Sequence, residues 1–319
     1  LADADTITDF TDGTDVLGLG GSLLYTDLTI AQGTGSNSGD TIVSAGSEYL
    51  AILTGITASN VNYFDVASMA TGNQTLSGTS GDDVLIGAAG IDTVTTGTGT
   101  DIILTNAGDD AITIDGAGNK TINGGTGTDG LNITSISNLS TATELLIETN
   151  GSYFNITLAD GSVITASNLE DLKLSGVDYG VYTYQGEEIG DDSVNSLRGV
   201  FFDTATGVAY LAKTAIQNTD MNGNPTTISY LGARMLYSTA DGVAVTSVIG
   251  TDLADELGRN GDTWNGSAVD LGAGDDYTTH VILTDNANIS FGSGDDRAQL
   301  KMGHAALTSL DTTKLDGGT

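Results

Sequence analysis

From Gly78 onward one nine-residue phrase is said six times: GTSGDDVLI, GAAGIDTVT, TGTGTDIIL, TNAGDDAIT, DGAGNKTIN and GGTGTDGLN, with Ile114 inserted before the fifth copy. The fourth place is always glycine: Gly81, Gly90, Gly99, Gly108, Gly118 and Gly127. The sixth is Asp83, Asp92, Asp101 and Asp110, then Lys120 as the exception, then Asp129. The eighth is aliphatic throughout: Leu85, Val94, Ile103, Ile112, Ile122 and Leu131. A period this strict commits the chain to stacked units that bury their apolar places on one another. Each glycine-rich opening is a turn, because glycine alone accepts positive φ without steric cost. The last three residues make a short strand whose middle side chain points inward.

Nine residues then form half a coil and eighteen a whole one, so turns two copies apart stack. Asp83 is predicted to lie over Asp101 on one edge, and Asp92 over Asp110 on the other. Stacked carboxylates repel unless a cation sits between them. Calcium suits such a place, since it takes several carboxylate and carbonyl oxygens in tolerant geometry. Lys120 stands where an aspartate belongs, so the ion beside it is expected to be lost or weakened, with the ammonium neutralising Asp101 instead.

With glycine at the fourth place and aspartate at the sixth in register, the stretch resembles the RTX family, the hemolysin-type calcium-binding repeat proteins with the pattern G-G-x-G-x-D-x-U-x. The resemblance implies a parallel β-roll with calcium in its turns, secretion from a Gram-negative-type bacterium, and calcium-triggered folding outside the cell. It also implies that Gly81, Gly90, Gly99 and Gly108 shape turns in which Asp83, Asp92, Asp101, Asp110 and Asp129 bind the metal.

Composition agrees with metal-held turns. Of 42 acidic residues only seven are Glu, against nine Lys and Arg, for a net charge of −33. Turns and calcium loops favour Asp, whereas an acidic helical surface would use Glu as often. So acidic a chain has no basic stripe for nucleic acid. Cysteine is absent, which makes metal the expected staple. No apolar run approaches the roughly 20 residues of a membrane helix. The chain starts without Met inside what looks like a repeat and stops at LDGGT, so a piece of a longer array is expected.

Four segments follow. Residues 1–71 look like the end of an earlier array with a closing β region. There Asp5 and Asp15 stand two places before Ile7 and Leu17 and are candidate ligands, and SNVNYFDVASM reads as a short helix with Val61, Phe64 and Met69 inward or as a plain strand edge. Residues 72–135 are the roll. Residues 136–249 lack the beat and alternate apolar and polar residues between DG, TG and NGNP turns, the pattern of antiparallel hairpins. Residues 250–319 regain it with wear: Asp255, Asp276 and Asp296 are candidate ligands, Asp285 or Asn286 weaker ones, and Thr278 and Ala298 the inward places. The expected fold is all-β, with parallel β-roll segments and an intervening antiparallel β-rich domain.

Nothing reads as an active site. His280 and His304 are the only histidines, and neither lies in a catalytic motif. The acid pairs 82–83, 109–110, 191–192, 275–276 and 295–296 could suggest glycoside hydrolysis, but four of the five fall in the repeat register, where calcium explains them. Trp264 in NGDTWNGS reads as a packing cap. The expectation is a non-catalytic, extracellular calcium-binding structural protein: a self-assembling subunit of a bacterial surface layer, sheath or filament, with cell-surface polysaccharide as a possible partner. The alternatives are the calcium-binding region of a secreted enzyme and a carbohydrate- or ice-binding adhesin.

Overall fold

The computed structural model describes residues 4–20, 23–148, 153–182, 197–219, 225–235, 239–240, 243–258, 263–264, 268–283, 288–300 and 314–316. Among them there are strands and short 3-10 turns but no α-helix, and many of the strand pairings are parallel. The chain forms two compact units, Leu1–Asp129 and Gly130–Thr319.

The first unit opens with an antiparallel meander, Leu28–Gln32, Thr41–Ala45 and Glu48–Leu53, with Asp5–Ile7 laid parallel on its last strand. Phe10, Val43, Ala51, Leu53 and Val61 form its core. The segment 59–69, expected as a short helix or a strand edge, holds two 3-10 turns, Ala58–Asn60 and Tyr63–Asp65, followed by the strand Val66–Ser68. Asn62 accepts from the Phe64 N–H while Asp65 reaches back to the Asn62 N–H, a reciprocal cap closed over one turn. The chain then runs straight into β-branched Val66, which pairs with Leu17 and is buried. Val61 is inward as expected, but Phe64 and Met69 are 61% and 65% exposed.

The roll that follows has two parallel faces. One stacks Val84–Ile86, Asp101–Leu104 and Lys120–Asn123, the other Thr75–Ser77, Thr93–Thr95 and Ala111–Ile114. Val94, Ile103, Ile112 and Ile122 are buried at the eighth place, as is the inserted Ile114. The fourth-place glycines have a second reason besides their turn. A Cβ at Gly99, Gly108, Gly118 or Gly127 would fall on the carbonyl of the glycine one coil earlier. Turns stacked this closely have no room for a side chain there. The roll also begins a copy earlier than the phrase itself. In Met69–Ser77, Gly72 and Leu76 hold the fourth and eighth places, and Gln74 holds the sixth.

In the second unit Ala142–Glu148, Tyr153–Leu158 and Val163–Ser167 are antiparallel, as are Asp171–Leu174, Val177–Tyr182, Val200–Asp203 and Val208–Leu211. From Val208–Leu211 the pairing turns parallel, through Ser247–Ile249, Ala268–Asp270, Asn288–Ser290 and Lys314–Asp316. A second parallel face joins Arg234–Met235, Glu256–Leu257, Tyr277–Leu283 and Arg297–Leu300. Phe202, Leu211, Met235, Val248, Leu257 and Val269 are among the residues of the core of this roll. Its coils so take in residues well before 250. Thr278 is inward and buried, whereas Ala298 is exposed.

Candidate metal centre

Sixth-place aspartates stack on both edges, and each uses one oxygen the same way. The Asp83 N–H donates to Asp101 Oδ1 at 3.0 Å, Asp92 to Asp110 Oδ1 at 2.7 Å, and Asp110 to Asp129 Oδ1 at 2.9 Å. The second roll repeats the pattern: Asp255 to Asp276 Oδ1 at 2.8 Å and Asp276 to Asp296 Oδ1 at 3.0 Å. Every such carboxylate ties its own turn to the coil before it. Gln74, at the sixth place of the unrecognised copy, donates likewise to Asp92 Oδ1 at 2.6 Å.

The other oxygen carries the chemistry. Oδ2 of Asp110 and of Asp276 is buried with no hydrogen-bond donor, on residues 3% and 0% exposed; Oδ2 of Asp296 is buried and undonated too. A buried carboxylate oxygen without a donor is costly unless a cation meets it. Asp129, 1% exposed, closes the same edge as Asp110. Burial pushes the Asp276 carboxyl up to about 7, with the charges of Asp255, Asp296 and Asp275 adding to it and a hydrogen bond from the Asp255 N–H opposing it. Burial also raises Asp255 to about 6, against hydrogen bonds from Thr251 and Ala233.

Lys120 displays what a cation finds here. Its ammonium lies 2.9 Å from Asp101 Oδ2, with both side chains fully buried, and donates to the Gly99 and Ala117 carbonyls at 2.8 and 3.1 Å. One carboxylate oxygen and the carbonyls of two successive turns thus converge on a positive charge. The same register places Asp110 with the Gly108 and Thr126 carbonyls, and Asp276 with those of Gly274 and Ser293. That oxygen-only donor set fits calcium. Among the described residues no three acidic or histidine side chains gather into a metal cluster. The carbonyls account for this, since they replace the extra carboxylates a side-chain cage would need.

The remaining predicted ligands sit differently. Asp83, Asp92, Asp255 and Asp15 each have Oδ2 bound by the N–H four residues earlier, from Thr79, Ala88, Thr251 and Thr11. Asp15 is exposed, and Asp5 is an exposed strand residue paired with Ala51, so neither has the buried stacked geometry of Asp110. The outer members of the acid pairs do a separate job. Asp82, Asp109 and Asp275 accept from the N–H of Thr100, Thr128 and Asp295 on the next coil, at 2.8, 2.9 and 3.0 Å. Asn73 does the same for Ile91. The Asp191–Asp192 pair, Asp285, Asn286, His304 and the side chains of His280 and Trp264 lie outside the described residues.

Two buried ladders of carboxylates and carbonyls define a calcium-binding parallel roll. Residues 77–112 match the RTX calcium-binding nonapeptide repeat in four copies. That stretch is an RTX repeat array, and RTX nonapeptide repeats bind calcium. No curated protein sequence matches the chain. Among solved structures, the extracellular lipase LipA from Serratia marcescens is similar at 14% identity, over 83% of this chain and 37% of the lipase, with a TM-score of 0.22. The chain thus spans little more than a third of that protein's length. Among the described residues no helix is long and apolar enough to cross a membrane.

Proposed function

We propose that this chain is an extracellular, non-catalytic structural protein whose rolls fold on calcium and then stack into a surface layer, sheath or filament. The observation that carries the calcium step is the buried, undonated Oδ2 of Asp110 and Asp276 in the register where Lys120 holds its ammonium. A charge of −33 opposes compaction until divalent ions neutralise it, so the chain is loosened and easily melted where calcium is scarce and closes firmly where it is plentiful. The assembly step follows from the architecture. A solenoid buries each coil on the next, and a coil without a neighbour offers its backbone edge to another copy.

Calcium titration of the chelated full chain, followed by circular dichroism and negative-stain imaging, tests both steps. Strand signal should fall in chelator and return with calcium, and sheets or fibres should form in calcium alone. Full strand signal in chelator without calcium uptake sinks the folding step. Monodisperse particles at millimolar calcium sink the assembly step and favour the calcium-binding region of a secreted enzyme.

A further inference from the structure

The turns of the two rolls fall into two kinds, divided by the backbone at the second place rather than by the aspartate at the sixth. In one kind that residue has positive φ: Gly97 (71°), Asn106 (71°), Gly125 (94°), Gly272 (88°) and Gly292 (76°). The aspartates closing these turns include Asp110, Asp276 and Asp296, whose Oδ2 receives no hydrogen bond, and Asp101, whose Oδ2 faces the Lys120 ammonium. In the other kind the second place is Thr11, Thr79, Ala88 or Thr251, none at positive φ. Its N–H then points at the carboxylate four residues on, and donates to Oδ2 of Asp15, Asp83, Asp92 and Asp255 at 2.8, 2.6, 2.6 and 2.8 Å. Gly116, which lacks positive φ, belongs to the turn that ends in Lys120 and has no carboxylate to cap.

We infer that the second residue of each turn decides whether that turn takes calcium: positive φ leaves Oδ2 open to the ion, and negative φ swings an N–H onto the same oxygen and closes it. The physical ground is competition for one lone-pair direction. An N–H bonded to a carboxylate is a strong charge-assisted contact, and a calcium ion bound there would have to displace it and leave a donor unpaired. A residue with a Cβ pays a steric cost at positive φ, so threonine and alanine settle in the capped form. Asparagine is the side chain that tolerates this conformation, and Asn106 is further held there by its Nδ2 donating to the Gly87 carbonyl at 2.9 Å. The first aspartate-bearing turns of each roll are accordingly self-capped, at Asp83 and Asp92 in the first and at Asp255 in the second, and open ones follow.

The inference rests on the calcium reading above and is tested separately from it, by counting bound ions on the full chain in equilibrium dialysis against radioactive calcium. Ala88→Gly and Thr251→Gly free the second place to adopt positive φ, and each should add one ion. Asn106→Val forces a β-branched residue out of that conformation and should remove one. A wild-type chain that binds no calcium overturns the calcium reading itself. A wild-type chain that binds calcium, with counts unchanged in both glycine variants, overturns the assignment of the second place alone, whether or not the valine variant folds.

Discussion

Replacing Lys120 with methionine keeps an unbranched chain one atom shorter and removes its charge. Asp101 would then be a fully buried carboxylate without a counter-charge, keeping only the Asp83 N–H on Oδ1, and the Gly99 and Ala117 carbonyls would each lose a donor. Removing one member of a buried ion pair costs about 3–5 kcal/mol, because the other charge stays behind in low dielectric. The unit that contains it runs from Leu1 to Asp129. At about 2.1 cal/mol/K per residue its unfolding entropy is roughly 0.27 kcal/mol/K, so the variant should melt about 10–20 °C lower in chelator. In calcium the deficit should shrink, since an ion can take the ammonium's place among the same oxygens. Lys120→Asp restores the phrase and should go further, binding one ion more than wild type. At calcium a hundred times its dissociation constant, that ion would contribute about 2.7 kcal/mol. Scanning calorimetry of the three proteins with and without calcium provides the measurement. Equal melting of Lys120→Met and wild type in chelator would show that the pair carries no stability, and the reading of Lys120 as a resident cation would fail.

Two further outcomes are expected. Asp255 and Asp276 hold protons more tightly folded, at about 6 and about 7, than the ordinary carboxylate value near 4 they have unfolded. The metal-free second unit should therefore gain stability as pH falls from above 7 towards 4 and lose it as pH rises through that window, while calcium affinity weakens on the same acidification; a chelated melting curve that moves the other way would contradict this. The adjacent acids Asp109 and Asp110 should separate cleanly. Asp109→Ala removes one exposed rung to the Thr128 N–H, costs about 1 kcal/mol and leaves the calcium count unchanged, whereas Asp110→Ala lowers the count. Dialysis on the two variants decides it, and equal counts would refute the division of labour.

What the sequence disclosed was whatever repeats. A strict beat of glycine, aspartate and an aliphatic residue is enough to imply the roll, its stacking period and the Lys120–Asp101 pair. The copy at Met69–Ser77 escaped because Gln74 replaces the carboxylate, although Gly72 and Leu76 kept their places and could have revealed it. The two kinds of turn escaped for a different reason. Aspartate is present in both, and the difference lies in a backbone angle that the neighbouring second place sets. The acid pairs were placed in the repeat register, but their division of roles was not legible, because two carboxylates side by side in sequence face different coils in space, one serving the next turn and one the previous. At Phe64 the error was of period. Apolar residues at helical spacing also suit a strand edge, and the reciprocal cap at Asn62 and Asp65 closes a single turn before the β-branched Val66 begins a strand.

The alternation of the strands between two faces governs how such a molecule can change length. Losing one nine-residue phrase would carry every later aspartate across to the opposite side, against partners it does not match. Losing two in succession would return each residue to the side it came from, one storey lower. Lengthening and shortening of this protein over its history should therefore proceed by even numbers of phrases, and a relative differing by a single phrase would have to carry a compensating loop.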